Sequence, residues 1–475
     1  MKNKILLLFL IFIFLSGCAG KPDVKMVAQE RITPLVVFDS LYPFTKEDNI
    51  LIFAPHPDDE AIGCAGVIQK ALKTGAKVNV VYLTNGDHNQ FAFIVYEKRI
   101  VFRKGAFIHM GEVRRKEAVK AMELLGLKEE NLVFLGYPDF GTFAIFCRFW
   151  NAEKPFRSLL TRIARVPYKD NLSYHAPYVG ESVLKDLKTV LLKYKPNKIF
   201  VSHPADVNGD HKALYLYLQI ALLELKNELV PPKVFPYLIH FPGWPRPRHY
   251  HPELSLQAPR QFMDSSVDWL TLEMDKEQID KKHEAVLCYK SQTQSSAFYL
   301  LSFCRRNELF GDYPPVHLSN QISLKERAVS FFGVSALHPA LDSEENGNLD
   351  NFIEDKGDVS YALVDRALLI RIQKEENMNQ GLRFMVYLFG YNAKKPFADM
   401  PKCRILIRGS KLTIFDGPKR INIPQGVLLT VNKKALILKL PLEVIGDPEY
   451  ILSSVKGYGG NFPLDTTGFR MIEIE

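Results

Sequence analysis

The chain has 475 residues, of which 47% are hydrophobic and 24% are charged, so its composition is that of a globular protein long enough for two domains. The formal net charge of +8 is modest for this length, and no compact basic stripe with interleaved aromatic residues occurs, which argues against nucleic acid as a partner. The six cysteines show no paired metal-binding spacing. Apart from Cys18 we expect them to be buried apolar residues, although an exported protein could pair Cys288 with Cys304.

The amino terminus has the pattern of an export signal. Lys2 and Lys4 precede an apolar stretch, residues 5–15, that is too short to span a bilayer but typical of a signal peptide. The stretch ends in Leu-Ser-Gly-Cys18, which resembles the cleavage box of bacterial lipoproteins. We therefore expect residues 1–17 to be a lipoprotein signal peptide and Cys18 to carry the lipid. A plain secretory signal with an incidental cysteine is the alternative.

Residues 18–45 are expected to form a tether, because their prolines oppose a long helix. With Cys18 lipidated, the protein would be exported from the cytoplasm and anchored to a membrane of the bacterial cell envelope.

Residues 46–315 alternate between continuous apolar runs and amphipathic segments. Strands are predicted at 50–54, 77–83, 132–135, 198–202 and 234–241, and helices at 60–74, 112–126, 181–194 and 211–226. This order predicts an α/β domain with a Rossmann-like, mainly parallel sheet and helices on both faces.

Two connections in this region, residues 86–111 and 140–180, are longer than usual and are expected to be binding loops or lids. The second is rich in aromatic residues, which could stack on sugar rings or form a small satellite core: Phe140, Phe143, Phe146, Phe149 and Trp150.

Polar residues follow two of the predicted strands. His56-Pro-Asp58-Asp59 comes after the first strand, and a His- and Asp-rich loop that runs from His203 to His211 comes after the fourth. A hydrolytic metal centre needs His or carboxylate ligands, an open position and a nearby base that is not a ligand. Adjacent carboxylates on a tight turn can divide those two roles. The alternative is that the two aspartates only cap the following helix.

These residues also carry a family resemblance. His56-Pro-Asp-Asp-Glu60, combined with a late Asp210-His211 before a helix, resembles the PIG-L/LmbE-like N-acetylglucosaminyl deacetylases, which are metal-dependent amidases acting on N-acetylated sugars. Three intermediate segments are similar to motifs of the same family, and the resemblance extends over about residues 48 to 295: 114–117, 135–139 and 282–292.

The resemblance implies the parts of an active site. It places the metal ligands at His56, Asp59 and His211 and the general base at Asp58, and it makes Arg114 and Asp139 sugar-binding residues. The residues Asp206, Asp210 and His203 would support the ligands from behind. Zn²⁺ fits this ligand set, and Fe²⁺ or Co²⁺ would be accommodated by it.

One position departs from the family pattern. Asn208 stands where some members have a His that assists the tetrahedral intermediate. Asn can donate a hydrogen bond to an oxyanion but cannot deliver a proton, so protonated Asp58 is the simplest general acid. The alternative is that Asn208 only shapes its loop.

The function implied is hydrolysis of the N-acetyl amide of an N-acetylated amino sugar, in a GlcNAc-type glycan or glycoconjugate, at the cell envelope. Two alternatives stay open: an amidase acting on a different small N-acyl glycoside, and a non-catalytic carbohydrate-binding lipoprotein. Binding alone does not require Asp58 beside Asp59, which favours an enzyme.

Residues 325–475 contain short alternating runs separated by turn residues, a pattern that predicts a β-sandwich-like, all-β domain. The predicted strands are 367–372, 383–389, 404–407, 411–415, 427–431, 435–440 and 450–455. The region loosely resembles the sandwich modules attached to bacterial carbohydrate-active enzymes, and a packing or spacer role is equally plausible.

Overall fold

The computed structural model describes residues 38–41, 43–89, 94–96, 104–151, 153–262, 265–319, 353–354, 359–373, 382–432, 435–459 and 462–475. The expected signal peptide, Cys18 and most of the expected tether lie outside these residues. Within them, no helix is both long enough and apolar enough to span a bilayer.

The first part of the chain forms an eight-stranded sheet in the order β1-β7-β8-β6-β5-β2-β3-β4. Its strands are β1 (Asp39–Ser40), β2 (Asn49–Ala54), β3 (Lys77–Thr84), β4 (Leu132–Tyr137), β5 (Lys198–Ser202), β6 (Lys233–Tyr237), β7 (Asp268–Glu273) and β8 (Asn307–Asp312). Strands β6, β5, β2, β3 and β4 pair in parallel, whereas β8 is antiparallel to β6 and β7. The predicted mainly parallel α/β sheet is therefore confirmed.

Seven helices of the described residues accompany this sheet. They are α1 (Asp59–Thr74), α2 (Lys104–Leu124), α3 (Thr142–Arg148), α4 (Gly180–Tyr194), α5 (Gly209–Glu224), α6 (Lys276–Leu287) and α7 (Lys290–Leu300). Helix α2 occupies part of the predicted loop 86–111, because Phe107 and Met110 are buried together in a small apolar cluster at its beginning.

Two strands differ from the sequence-based expectation. Strand β6 ends at Tyr237 rather than at residue 241, since the next backbone N–H groups, of Ile239 and His240, donate to the Asp206 carboxylate. Strand β1 lies in the expected tether, where it pairs in parallel with β7.

The strand order reverses between β2 and β5. From β2 the chain moves outward to β3 and β4, and from β5 it moves to β6 on the other side. Open α/β sheets bind ligands at the carboxyl edge of such a reversal point. The turn after β2 and the loop after β5 therefore meet where a ligand site is expected.

The second part of the chain is all-β, as predicted, and consists of two sheets. Strands β10 (Ile353–Glu354), β11 (Val359–Val364), β12 (Ala367–Gln373), β17 (Leu428–Val431) and β18 (Ala435–Pro441) form one. The other contains β9 (Val316–Leu318), β13 (Leu382–Tyr391), β14 (Lys402–Arg408), β15 (Lys411–Asp416), β16 (Lys419–Ile421), β19 (Tyr450–Gly459), β20 (Phe462–Thr466) and β21 (Arg470–Ile474). Both sheets contribute to one apolar core. Strand β9 pairs with β21 and begins before the expected domain start at residue 325.

The two parts share a second apolar core. Trp150, from the aromatic-rich connection, packs edge-to-face against Phe397, and Phe146 from the same connection contacts both Phe397 and Phe389. Phe146 and Trp150 are therefore packing residues, in agreement with the core alternative. The five described cysteines are buried free thiols, so no Cys288–Cys304 disulfide is formed.

Candidate metal centre and active site

The turn after β2 presents two carboxylates in different directions. The Asp59 carboxylate accepts the backbone N–H of His56 at 2.9 Å, whereas the backbone N–H of Asp58 donates to Glu60 at 3.0 Å. Asp58 has φ = 131°, a conformation that L-residues rarely adopt, and its side chain makes no capping hydrogen bond. The helix-cap alternative for Asp58 is therefore wrong, and its carboxylate is left for another role.

The three residues predicted as metal ligands meet at one point. Asp59 Oδ2 lies 3.2 Å from His56 Nδ1 and 3.2 Å from His211 Nε2. One ligand atom from each of the three residues lies within 4.8 Å of the others, and all three are buried. Two imidazoles and a carboxylate form a donor set typical of a catalytic divalent metal.

Carboxylates lie behind both imidazoles. His56 Nε2 is 3.3 Å from Asp139 Oδ1 and 3.3 Å from Asp210 Oδ2, and His211 Nδ1 is 3.0 Å from Asp206 Oδ2. In metal sites the second imidazole nitrogen commonly donates to a carboxylate in this way, which fixes the tautomer and turns the other nitrogen toward the metal. The chemistry of the site therefore fits a divalent cation.

The surrounding carboxylates also control the charge of the imidazoles. Burial lowers the pKa of His211, but Asp206 and Asp59 outweigh it and raise this pKa to about 9. Burial also lowers the pKa of His56, but Asp139 and the neighbouring carboxylates outweigh it and hold this pKa well above its usual range. Without a metal the two imidazoles thus carry the positive charge that the carboxylates require.

The alternative grouping of His56 with Asp139 and Asp210 would use the other imidazole nitrogen. The Asp210 carboxylate, however, already accepts the backbone N–H groups of Phe140 at 2.6 Å and Thr142 at 3.1 Å. The position of Asp210 is therefore compatible with the predicted supporting role behind His56, which stays a prediction.

The predicted base, Asp58, is buried beside the ligand Asp59. Burial, together with the charge of Asp59, raises the pKa of Asp58 to about 7, although Arg114 opposes the shift. A carboxylate with a near-neutral pKa is well matched to general-base catalysis.

Arg114 lies beneath this base. Its Nη2 is 3.3 Å from Asp58 Oδ1 and donates to the Pro57 carbonyl at 2.7 Å, while Nη1 donates to the Gly86 carbonyl at 3.1 Å. Arg114 and Asp139 are both buried, and they contact Asp58 and His56, respectively. Their predicted contact with a sugar stays a prediction.

Asn208 caps helix α5. Its side-chain oxygen accepts the backbone N–H of Asp210 at 2.8 Å, and its own N–H donates to Asp206 at 2.9 Å. This is the loop-shaping role, and it leaves the amide nitrogen outside the cap bond. Donation from that nitrogen to an oxyanion stays a prediction.

His203 belongs to the packing of the fold. Its ring stacks on Trp269 with the centroids 5.4 Å apart, its Nδ1 accepts the N–H of Ala205, and burial lowers its pKa to about 3. These contacts do not support the expectation that His203 stands behind a metal ligand.

Sequence reasoning missed His240. Its ring centroid is 4.7 Å from that of His211, and its ring stacks on Tyr299. Its backbone N–H donates to the Asp206 carboxylate at 2.8 Å. The signal available in the sequence was a His shortly after the fifth strand, at the same sheet edge as His56. It was hidden by the prediction of an unbroken strand through residue 241.

A comparison with protein families finds a match to the part of the chain that contains these residues. Residues 51–221 match the family described as PIG-L: GlcNAc-PI de-N-acetylase. The match contains every predicted ligand and the predicted base.

The comparison with solved structures gives matches that include the following three. The conserved protein TT1542 from Thermus thermophilus is 22% identical, with 52% of this chain and 80% of that chain covered and a TM-score of 0.30. N,N'-diacetylchitobiose deacetylase from Pyrococcus horikoshii is 20% identical, with coverages of 57% and 86% and a TM-score of 0.34. The 4-carboxy-2-hydroxymuconate hydratase from Pseudomonas putida is 17% identical, with coverages of 56% and 97% and a TM-score of 0.34.

Proposed function

We propose that this chain, whose residues 51–221 match the PIG-L family model, hydrolyses the N-acetyl amide of an N-acetylated amino sugar. One observation carries the proposal. A complete donor set of His56, Asp59 and His211 lies beside Asp58, a buried carboxylate that is not part of that set. A binding protein has no need of the second carboxylate, whereas amide hydrolysis requires a base.

The three ligands would hold a divalent metal, and we propose Zn²⁺, with Fe²⁺ or Co²⁺ as alternatives. When bound, such an ion polarises the amide carbonyl and makes the attacking water more acidic. Asp206, Asp139 and Asp210 hold the two imidazoles in the orientation that this binding needs.

Asp58 supplies the proton transfers. Its carboxylate takes a proton from the attacking water and can return it to the amine that leaves, so that one group acts as base and then as acid. Arg114 fixes the carboxylate from below, and Glu60 fixes the backbone of the same residue. Because proton transfer depends on distance, these two contacts keep Asp58 in place through both steps.

Acetate release is the direct test. The full chain, loaded with Zn²⁺, is incubated with N-acetylated chitooligosaccharides and with cell-wall glycans, and free acetate is measured. The matched control is Asp58→Asn, which keeps the size of the side chain and the ligand set. Glycan binding without acetate release by the wild type would favour the carbohydrate-binding alternative, and release of a different acyl group would favour the N-acyl glycoside alternative.

We also propose that the protein is anchored at the cell envelope through a lipid on Cys18. The support is the signal-like stretch that ends in Leu-Ser-Gly-Cys18. Mass spectrometry of the mature amino terminus should find the lipid on the wild type and not on Cys18→Ser. An unmodified wild-type Cys18, or cleavage at another position, would reject the anchor without affecting the proposed chemistry.

A further inference from the structure

We propose that Phe140 is a sugar-stacking residue, whose exposed ring packs against the apolar face of a pyranose ring of the substrate. This inference rests on the proposed function and adds a specificity-determining residue that lies outside the metal ligands and the base.

Phe140 is the exposed one among the five aromatic side chains of residues 140–150. Its exposure is 64%, whereas Phe146 and Trp150, a few residues later, are buried in the core shared with the sandwich. A single exposed apolar residue is common on protein surfaces and needs no explanation by itself. The backbone of Phe140 supplies the reason to look further.

Phe140 has φ = 58°, which places it in the left-handed region. A bulky residue seldom adopts this conformation, and such strain persists only where the surrounding structure enforces it, often at functional sites. Asp58, the proposed base, has a positive φ as well. Two non-glycine residues with a strained backbone, Asp58 and Phe140, thus lie close to the proposed metal ligands.

The surrounding contacts hold the strained conformation in place. The N–H of Phe140 donates to Asp210 Oδ2 at 2.6 Å, and the same oxygen lies 3.3 Å from Nε2 of the ligand His56. The following residue, Gly141, has no room for a side chain, since a Cβ there would lie 2.6 Å from Phe156 and 2.8 Å from Pro138. The ring is therefore presented from a rigid turn that is tied to the metal centre.

The exposed ring of Phe140 has an aromatic neighbour. The His88 ring lies 5.3 Å from it, centroid to centroid, and the His88 N–H donates to Asp139 at 2.9 Å. His88 follows β3 and Phe140 follows β4, so both stand at the carboxyl edge of the parallel sheet. A pyranose ring has an apolar face of C–H groups and a polar rim of hydroxyls, and the C–H face suits the electron-rich face of an aromatic ring.

The test compares Phe140→Ala, Phe140→Asn and Phe140→Trp with the wild-type full chain in acetate release from N-acetylated chitooligosaccharides. Asn tolerates the left-handed conformation, so the Asn variant removes the ring without adding backbone strain. We expect the Ala and Asn variants to raise KM about tenfold, ~1.4 kcal/mol of binding, with kcat within about twofold of the wild type. The Trp variant should keep KM near the wild-type value.

Val230→Ala is the matched control. Val230 is 86% exposed and lies before β6, at the amino edge of the sheet and away from the site. Its loss should leave both kinetic constants unchanged. An unchanged KM in Phe140→Asn, or an equal fall of kcat in all three Phe140 variants, would overturn the stacking role.

Binding measured by saturation-transfer NMR separates this inference from the proposed reaction. If the wild type binds the oligosaccharide but releases no acetate, the proposed function fails, and weaker binding by Phe140→Asn still supports stacking. If the wild type and Phe140→Asn bind the oligosaccharide equally, or if neither binds it, the stacking role is rejected.

Discussion

Replacement of Asp58 by Asn should remove activity and at the same time stabilise the metal-free protein. Asn has nearly the size of Asp but cannot accept a proton from water. Loss of a general base lowers the rate by about 10²–10⁴. The metal content should stay at the wild-type level, because the Asp58 carboxylate is not one of the three ligand groups.

The gain in stability follows from the pKa of Asp58. Burial raises this pKa from 3.8 to about 7, so the folded protein binds the proton more tightly than the unfolded chain does. The contribution of Asp58 to wild-type stability therefore falls as the pH rises from about 4 to 7 and levels off above that range. With 1.36 kcal/mol for each unit of pKa shift, the ionised carboxylate costs up to ~4 kcal/mol at pH 8. Asn resembles the protonated acid and does not incur this cost.

Urea unfolding of the metal-free wild type and Asp58→Asn between pH 4 and pH 8 measures the effect. The difference in the free energy of unfolding should be near zero at pH 4 and should favour the variant at pH 8. The attraction between Arg114 and the ionised Asp58 carboxylate limits the rise of the Asp58 pKa to about 7. The expected difference in stability is derived from that pKa and therefore already includes the effect of Arg114. A difference that does not change with pH, or a variant less stable at pH 8, would refute the reasoning. Unchanged turnover would move the base to another residue.

The sequence was sufficient to predict the parallel sheet and the meeting of His56, Asp59 and His211 because both depend on local signals. Continuous apolar runs mark strands that are buried on both faces, and helical segments between them require parallel pairing. Once β2 and β5 are neighbours at the point where the strand order reverses, His56 and His211 must follow them to the same edge.

The positions of Arg114 and His240 could not be predicted in the same way, because tertiary hydrogen bonds determine them. In the sequence Arg114 is a candidate only through the family resemblance, whereas in the structure two loop carbonyls and Asp58 hold it beneath the base. His240 lies in a run with the pattern of a strand. The Asp206 carboxylate, however, accepts the backbone N–H groups of Ile239 and His240, which a longer strand would have donated to its neighbour in the sheet. A carboxylate that competes with a neighbouring strand leaves no periodic signal in the sequence.

The number of sandwich strands was underestimated for a related reason. The seven predicted runs have between four and seven residues, whereas β9 and β16 have three residues each and are recognisable only from their partners. Strand β9 pairs with β21, which lies at the other end of the second domain. A pairing between such distant segments is set by the closed core of the sandwich and not by either segment alone.

Three further predictions address a proposed ligand, the buried Lys282–Glu308 ion pair and the helix cap. His211→Ala should lose most of the bound metal while the sandwich stays folded, and wild-type metal content by elemental analysis would reject this ligand. Lys282→Met should lower the free energy of unfolding by about 3–5 kcal/mol, because Glu308, at 2.8 Å from the lysine, would keep a buried charge without its partner. A loss below about 1 kcal/mol in urea unfolding would contradict this. Asn208→Ala removes the bond to the Asp210 N–H and should cost about 1 kcal/mol of stability. Asn208→Ser separates the two roles of that residue, since Ser keeps a cap acceptor but has no amide nitrogen. If the nitrogen donates to the oxyanion, Asn208→Ser should have the stability of the wild type but a kcat that is lower by about 10²–10³. A wild-type kcat in Asn208→Ser would mean that Asn208 acts only as a helix cap.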